Sequence, residues 1–118
     1  KPKVLIAGAH GMVGKALVSE LKFKKNIKLL TPTKKELNYL NFKEVDKYFK
    51  KRRPNFVYIV AAKVGGILAN KKNKIEFFEN NQLIQMNLFK CINKYKVKKS
   101  IFLGSSDSFT QIKVPGLN

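Results

Sequence analysis

Val4-Leu5-Ile6-Ala7-Gly8-Ala9-His10-Gly11-Met12-Val13-Gly14 is the stretch on which the fold turns. Four apolar residues run into a glycine, the pattern of a short strand buried on both faces of a parallel sheet. From Met12 the spacing becomes helical: Val13, Ala16, Leu17 and Leu21 share one face of a helix expected to end near Lys25. The glycines between strand and helix have separate physical tasks. Gly8 permits the tight turn, Gly11 lets the backbone approach a pyrophosphate, and Gly14 lets the helix pack closely on the strand. The helix N-terminus adds a partial positive charge. Gly8, Ala9, His10, Gly11, Met12, Val13 and Gly14 are therefore candidate dinucleotide-binding residues.

Working outward, residues 27–31 read as a second strand. Asn41 and Glu44 have capping-box spacing and open a helix with Phe42, Val45 and Phe49 on its inner face, stopped by Pro54. Residues 56–60 form a third strand, followed by the loop Ala61-Ala62-Lys63-Val64-Gly65-Gly66. A long helix over residues 73–95 is expected to bury Ile75, Phe78, Leu83 or Ile84, Leu88 and Ile92, and residues 100–104 form a fourth strand. This alternation predicts an α/β fold: a Rossmann-like parallel sheet of about four strands, incomplete, with helices on both faces. Residues 1–106 carry that portion. Residues 107–118 show weak alternation at Ile112 and Val114, then Pro115-Gly116, and are expected to form a divergent tail rather than another αβ unit.

Composition bounds the rest. The 118 residues carry 25 Lys+Arg against 7 Asp+Glu, a formal charge of +18, with 44% hydrophobic residues and few Gly or Pro, as in a foldable domain. Such charge ordinarily suggests nucleic acid or an anionic membrane. Here it comes from 23 Lys and only 2 Arg, beside 11 Asn and 9 Ile, a set favoured by A/T-rich codons. Arginine, the better reader of phosphate and guanine, is nearly absent. The lysines are spread over every expected helix and do not gather on one. No specific nucleic-acid partner and no membrane partner is expected. No stretch is long and apolar enough for a transmembrane helix, and no signal-peptide pattern opens the chain. Cys91 is alone, which excludes an internal disulfide and a cysteine-based zinc site, and no metal site is expected. A reducing, cytoplasmic setting follows.

The segment after the second strand bears on which nucleotide is bound. An NAD site wants an acid there to accept from the ribose 2′-hydroxyl. Thr31-Pro32-Thr33-Lys34-Lys35 offers hydroxyls and two lysines, which suit a 2′-phosphate and favour NADP(H). Glu36 lies 22 residues beyond Gly14, close to the distance expected of an NAD-binding acid, but it also stands three after Thr33, the spacing of a capping box.

Ala61-Ala62-Lys63-Val64-Gly65-Gly66-Ile67, with the glycine loop before it and Leu103-Gly104-Ser105-Ser106 after it, resembles the GDP-L-fucose synthase family of extended short-chain dehydrogenase/reductases. The likeness covers about residues 3–106. Glu36-Leu37-Asn38 and the Asn81 to Asn87 spacing are in step with it. The resemblance implies conversion of GDP-4-keto-6-deoxymannose to GDP-L-fucose with NADPH, a GDP-sugar substrate, and intact family members that are homodimers. It implies that the glycine loop and Thr33, Lys34, Lys35, Glu36, Leu37, Asn38 and Tyr39 line the NADP adenosine and phosphates. Ala61, Ala62, Leu103, Gly104, Ser105 and Ser106 would pass beside the nicotinamide end, with Ser105 as the catalytic serine that hydrogen-bonds the substrate carbonyl.

Three features depart from the family pattern. His10 stands where Arg is common, and loop packing or a phosphate contact is expected of it. Asp107 replaces the catalytic cysteine, and Cys91, placed for core packing, is no substitute. Hydride transfer also needs a Tyr-x-x-x-Lys pair on a later helix, where the lysine lowers the tyrosine pKa. The two such strings here, Tyr39 to Lys43 and Tyr95 to Lys99, both precede Ser105 and are rejected. The pair is expected beyond residue 118, so these residues would bind NADP(H) weakly without turning over substrate. The alternatives are another extended dehydrogenase, epimerase or dehydratase of nucleotide sugars, a non-enzymatic NADP-binding protein, and a basic nucleic-acid-binding module. Sequence preference, not salt sensitivity alone, would identify the last.

Overall fold

The computed structural model describes residues 1–60, 71–103 and 111–113, with side chains described for 1–60 and 75–103. The elements run β1 (Lys3–Ala7), α1 (Met12–Leu21), β2 (Lys28–Leu30), α2 (Phe42–Arg52), β3 (Phe56–Val60), α3 (Lys71–Lys94), β4 (Lys99–Leu103) and β5 (Gln111–Lys113). They form one sheet in the order β2-β1-β3-β4-β5. The first four strands are parallel, with Val4 opposite Leu29 and Phe56, and Phe56 opposite Lys99. β5 adds an antiparallel edge, Ile112 facing Phe102. The four-strand parallel core is thus as expected, and a short fifth strand extends the sheet into the segment read as a divergent tail.

Residues of β1 alternate between two apolar layers. Leu5 and Ala7 join Val57 and Ile59 beneath Val45 and Phe49 of α2 and Leu88, Cys91 and Ile92 of α3. Val4 and Ile6 face the other way, against Leu17, Val18 and Leu21 of α1. Because β1 is covered on both sides, all of Val4, Leu5, Ile6 and Ala7 are buried, which a central parallel strand requires.

Three helical expectations need correction. α1 stops at Leu21, and its inner ridge is Gly14, Leu17, Val18 and Leu21; Ala16 is exposed because Val18, one turn from Gly14, takes the sheet-facing row. In α2, Val45 and Phe49 are fully buried but Phe42 is not, its ring lying under the Lys90 ammonium at 5.6 Å. In α3, Leu88 and Ile92 are buried and Ile84 packs on the core, whereas Ile75, Phe78 and Leu83 are exposed. Both ends of α2 follow the sequence signals. The Asn41 side chain accepts from Glu44 N, and Arg53, left-handed at φ 48°, closes the last turn onto the Phe49 carbonyl just before Pro54.

Candidate functional site

A cleft of about 520 Å³ opens at the carboxyl ends of β1 and β3. Ligands of open parallel sheets bind in such a crevice. Its floor and one wall are Ala7, Gly8, Ala9, His10, Gly11, Met12 and Val13; Pro32, Lys34 and Tyr39 close the β2 side, and Ile59, Val60, Asn81, Ile84 and Leu88 close the far side.

The three glycines stand in different surroundings. Gly8 sits at φ +96°, and a Cβ there would lie 2.8 Å from the Val60 carbonyl oxygen. A Cβ on Gly14 would overlap the Gly8 carbonyl oxygen. Both are demanded by the packing of the loop itself. Gly11 is not: a Cβ added there meets only the Gly8 oxygen, at 3.6 Å, and its backbone is ordinary extended conformation. The space above Gly11 is open, on the cleft wall, at the N-cap of α1. That helix start has no side-chain cap hydrogen bond and no acidic residue in its first turn, and its end carries a partial positive charge.

His10 is exposed and its Nε2 lies 3.2 Å from the Thr31 carbonyl oxygen. A carbonyl only accepts, so Nε2 carries the proton in this contact, which ties the glycine loop to the end of β2. Loop packing and a phosphate contact were the two roles expected of it, and His10 also lines the cleft.

The segment 33–39 does not act as one surface. Thr33 and Glu36 cap each other: Thr33 N donates to Glu36 Oε1 at 2.9 Å, and Glu36 N donates to Thr33 Oγ1 at 3.3 Å. The hydrogen bond from the Thr33 backbone, then that from its hydroxyl, holds the Glu36 carboxyl below the usual carboxylate range. Its Oε1 is thus engaged by the turn itself. Asn38 bonds within its own turn, through Leu40 N to Oδ1 at 3.0 Å and Asn38 N to Glu44 Oε1 at 3.1 Å. Leu37, only 1% exposed, faces the core and not the cleft, because its side chain completes the layer under α2. Lys34 and Tyr39 alone of this segment reach the cleft wall. Leu103 ends β4 and is buried. Ala61, Ala62, Gly104, Ser105, Ser106 and Asp107 lie outside the described residues.

The far wall was missed by sequence reading. Asn81, Ile84 and Leu88 come from α3, and the available signal was the pair of helix-disfavouring asparagines at 81 and 87. Asn87, 2% exposed, donates through Nδ2 to the Tyr39 carbonyl at 2.9 Å and so pins α3 to the segment after β2. Neither rejected Tyr-x-x-x-Lys string offers an activated phenol. Burial pushes the Tyr39 hydroxyl well above the ordinary tyrosine value, and burial followed by the Asp46 carboxylate raises Tyr95. Tyr95 donates to Asp46 Oδ1 at 2.8 Å, beside the Lys94 ammonium at the same distance. Burial lifts the Cys91 thiol to about 11, consistent with its place in the core. Among the described residues no group of His, Cys, Asp or Glu could hold a metal, and no helix is long and apolar enough to cross a membrane.

Residues 4–113 match the NAD dependent epimerase/dehydratase family. The chain is 40% identical over 106 residues to the GDP-L-fucose synthase of Escherichia coli strain K12, covering 90% of this chain and 33% of that one. It is 38% identical over 104 residues to the GDP-L-colitose synthase of Yersinia pseudotuberculosis, covering 88% and 33%. The GDP-mannoheptose C4 reductase MlghC of Campylobacter jejuni, solved with NADP bound, superposes with a TM-score of 0.78 at 33% identity, over 88% of this chain and 31% of that one. The chain spans about a third of the length of the curated relatives it matches.

Proposed function

Since this chain belongs to the NAD dependent epimerase/dehydratase family, we propose that it is the NADP-binding part of a GDP-sugar epimerase-reductase, of the kind that makes GDP-L-fucose from GDP-4-keto-6-deoxymannose. The observation that carries this reading is the open space above Gly11 at the uncapped start of α1, a position shaped for a phosphate by a residue the loop does not itself require to be glycine. In this reading the glycine loop holds the pyrophosphate, Lys34 faces the 2′-phosphate, and Tyr39, Asn81 and Ile84 enclose the adenosine. NADPH, when bound, supplies the hydride for a 4-keto group.

Ser105 is assigned to orient the substrate carbonyl by a hydrogen bond, and Leu103, Gly104, Ser106, Ala61 and Ala62 to border the nicotinamide. Asp107, in the place of the family cysteine, holds an acid where epimerisation needs a proton-transfer group. No Tyr-x-x-x-Lys follows Ser105 within these residues, so the tyrosine that would protonate the reduced oxygen is not among them. The colitose synthase and the heptose reductase are as similar to the chain, or nearly so, as the fucose synthases. That favours GDP-linked 4-keto sugars as the substrate class, with the fucose precursor the first to try.

Calorimetric titration of the 118-residue chain tests the reading. NADPH is expected to bind and NADH to bind more weakly, with no turnover of GDP-4-keto-6-deoxymannose. Absence of NADPH binding, or a preference for NADH, would overturn the cofactor assignment; turnover would overturn the division of labour.

A further inference from the structure

The end of the molecule opposite the cleft is rich in cations. In a parallel α/β fold every strand begins, and every helix ends, at that same end. Lysines dispersed along the sequence are therefore brought together by topology. Lys22, Lys24 and Lys25 follow α1, Arg52 and Arg53 close α2, and Lys96 and Lys98 follow α3, all exposed. Between them Lys3, Lys28 and Lys99 open β1, β2 and β4. The backbone ties this end into one surface: the Asn55 side chain accepts from Lys3 N at 2.8 Å, its carbonyl accepts from Lys98 N at 3.0 Å, and Lys3 Nζ reaches the Arg52 carbonyl at 3.0 Å.

Helix dipoles account for cations in a last turn. They do not account for those at the strand starts. Among the described residues Glu20, in the last turn of α1, is the acid that stands at this end; Asp46 is engaged by Lys94, and Glu36, Glu44, Glu76 and Glu79 lie toward the cleft end of the fold. Among the cations stands Phe23, 78% exposed, with the Lys22 ammonium 5.4 Å from its ring centre.

We propose that this end is a docking surface for an anionic lipid bilayer. The cations are spread in two dimensions on both sides of the sheet, beyond α1 on one face and α2 and α3 on the other. A flat charged surface meets such an array at once, whereas a nucleic-acid backbone would engage only a row. Lysine point charges suit lipid headgroups, and an exposed phenylalanine among them is the side chain that enters the interface. The nucleotide cleft then faces away from the membrane.

The experiment is co-sedimentation of the 118-residue chain with phosphatidylcholine vesicles, with and without phosphatidylserine. Binding is expected only with phosphatidylserine and is expected to fall as salt is raised. Each lysine near such a surface is worth roughly a fivefold gain in partition. The double charge reversal K24E/K25E should therefore weaken binding by at least about 25-fold. K15E/K43E, which changes net charge equally at the cleft end, should weaken it far less, and Phe23→Ala should weaken it without altering its salt dependence. Equal losses in the two double variants would overturn the proposal, since binding would then follow net charge and not this surface. So would failure to sediment with phosphatidylserine. Retention on an RNA homopolymer at a salt concentration that abolishes vesicle binding would assign the surface to nucleic acid instead.

Discussion

Two segments leave the carboxyl ends of neighbouring strands, and they hold their shapes by opposite means. The loop 8–14 after β1 is set by where side chains cannot be: a Cβ at Gly8 meets Val60 and one at Gly14 overlaps Gly8. The turn 33–39 after β2 is set by where side chains are: Thr33 and Glu36 cap each other, Glu44 holds Asn38, and Leu37 is sunk in the core. The first kind of constraint leaves a mark in the sequence, because only glycine satisfies it. The second does not, because Thr, Glu and Asn are found in many surroundings. So the steric tasks of Gly8 and Gly14 were legible in the sequence, whereas the turn was read as a uniform cofactor surface and only Lys34 and Tyr39 of it reach the cleft.

The largest effect should come from testing the loop's steric rule. Gly14→Val puts a branched side chain into the Gly8 carbonyl and Ala9, and is expected to cost roughly 3 kcal/mol or more, enough to unfold much of a small domain. Gly8→Ala, strained by its φ of +96° and by Val60, should cost about 1–3 kcal/mol. Urea denaturation measures both. If either variant kept wild-type stability, the claim that these glycines serve packing would fail.

Next comes the residue that separates packing from binding within the same loop. Gly11→Ala has room and an ordinary backbone, so stability should drop by less than about 1 kcal/mol. NADPH affinity should nevertheless fall tenfold or more, on the order of 1.4 kcal/mol, because the methyl group occupies the space assigned to a phosphate. Parallel losses of stability and affinity would mean that Gly11 is no different from its neighbours.

The same contrast explains how far the fold itself could be read. β1, β3 and α2 were legible because each is short, covered and sharply bounded, α2 by Asn41 and Pro54. α3 was legible in its second half only. At 1.5 Å per residue a helix of this length runs about 36 Å, while the five-residue strands beneath it run about 17 Å. Its early apolar residues, Ile75 and Phe78, satisfy the helical period yet meet no sheet among the described residues. Periodicity reports which way a side chain points, not whether anything lies there. β5 escaped for a related reason: three residues on the edge of β4 carry too short an alternation to be told from a tail. On the cleft, the α3 wall escaped because Ile84 and Leu88 look like ordinary core residues until the bound face of the helix is known.

Lys34→Glu tests the one charged side chain that the turn presents to the cleft. It should lower NADPH affinity about fivefold, as for a partly exposed ion pair, and leave NADH within about twofold. An equal loss for both nucleotides would place Lys34 on a phosphate they share and remove its part in selectivity.

The smallest effect, and the one that most sharpens the comparison, concerns Glu36. Its carboxyl is held below the usual range chiefly by the Thr33 amide. A group whose folded pKa is depressed contributes stability above its unfolded pKa, near 4.3, and loses it as pH falls through the lower folded value. The turn should therefore be unaffected at neutral pH and loosen only in acid. The Thr33 amide proton, followed by nuclear magnetic resonance, should shift as that bond is protonated away, while the amides of the glycine loop stay in place. Glu36→Gln should abolish the titration. Because the carboxylate is committed to the turn, the same variant should change neither NADPH nor NADH affinity by more than about twofold. A selective loss of NADH binding in Glu36→Gln would return this residue to the ribose, and the turn would then be a recognition surface that happens to cap itself.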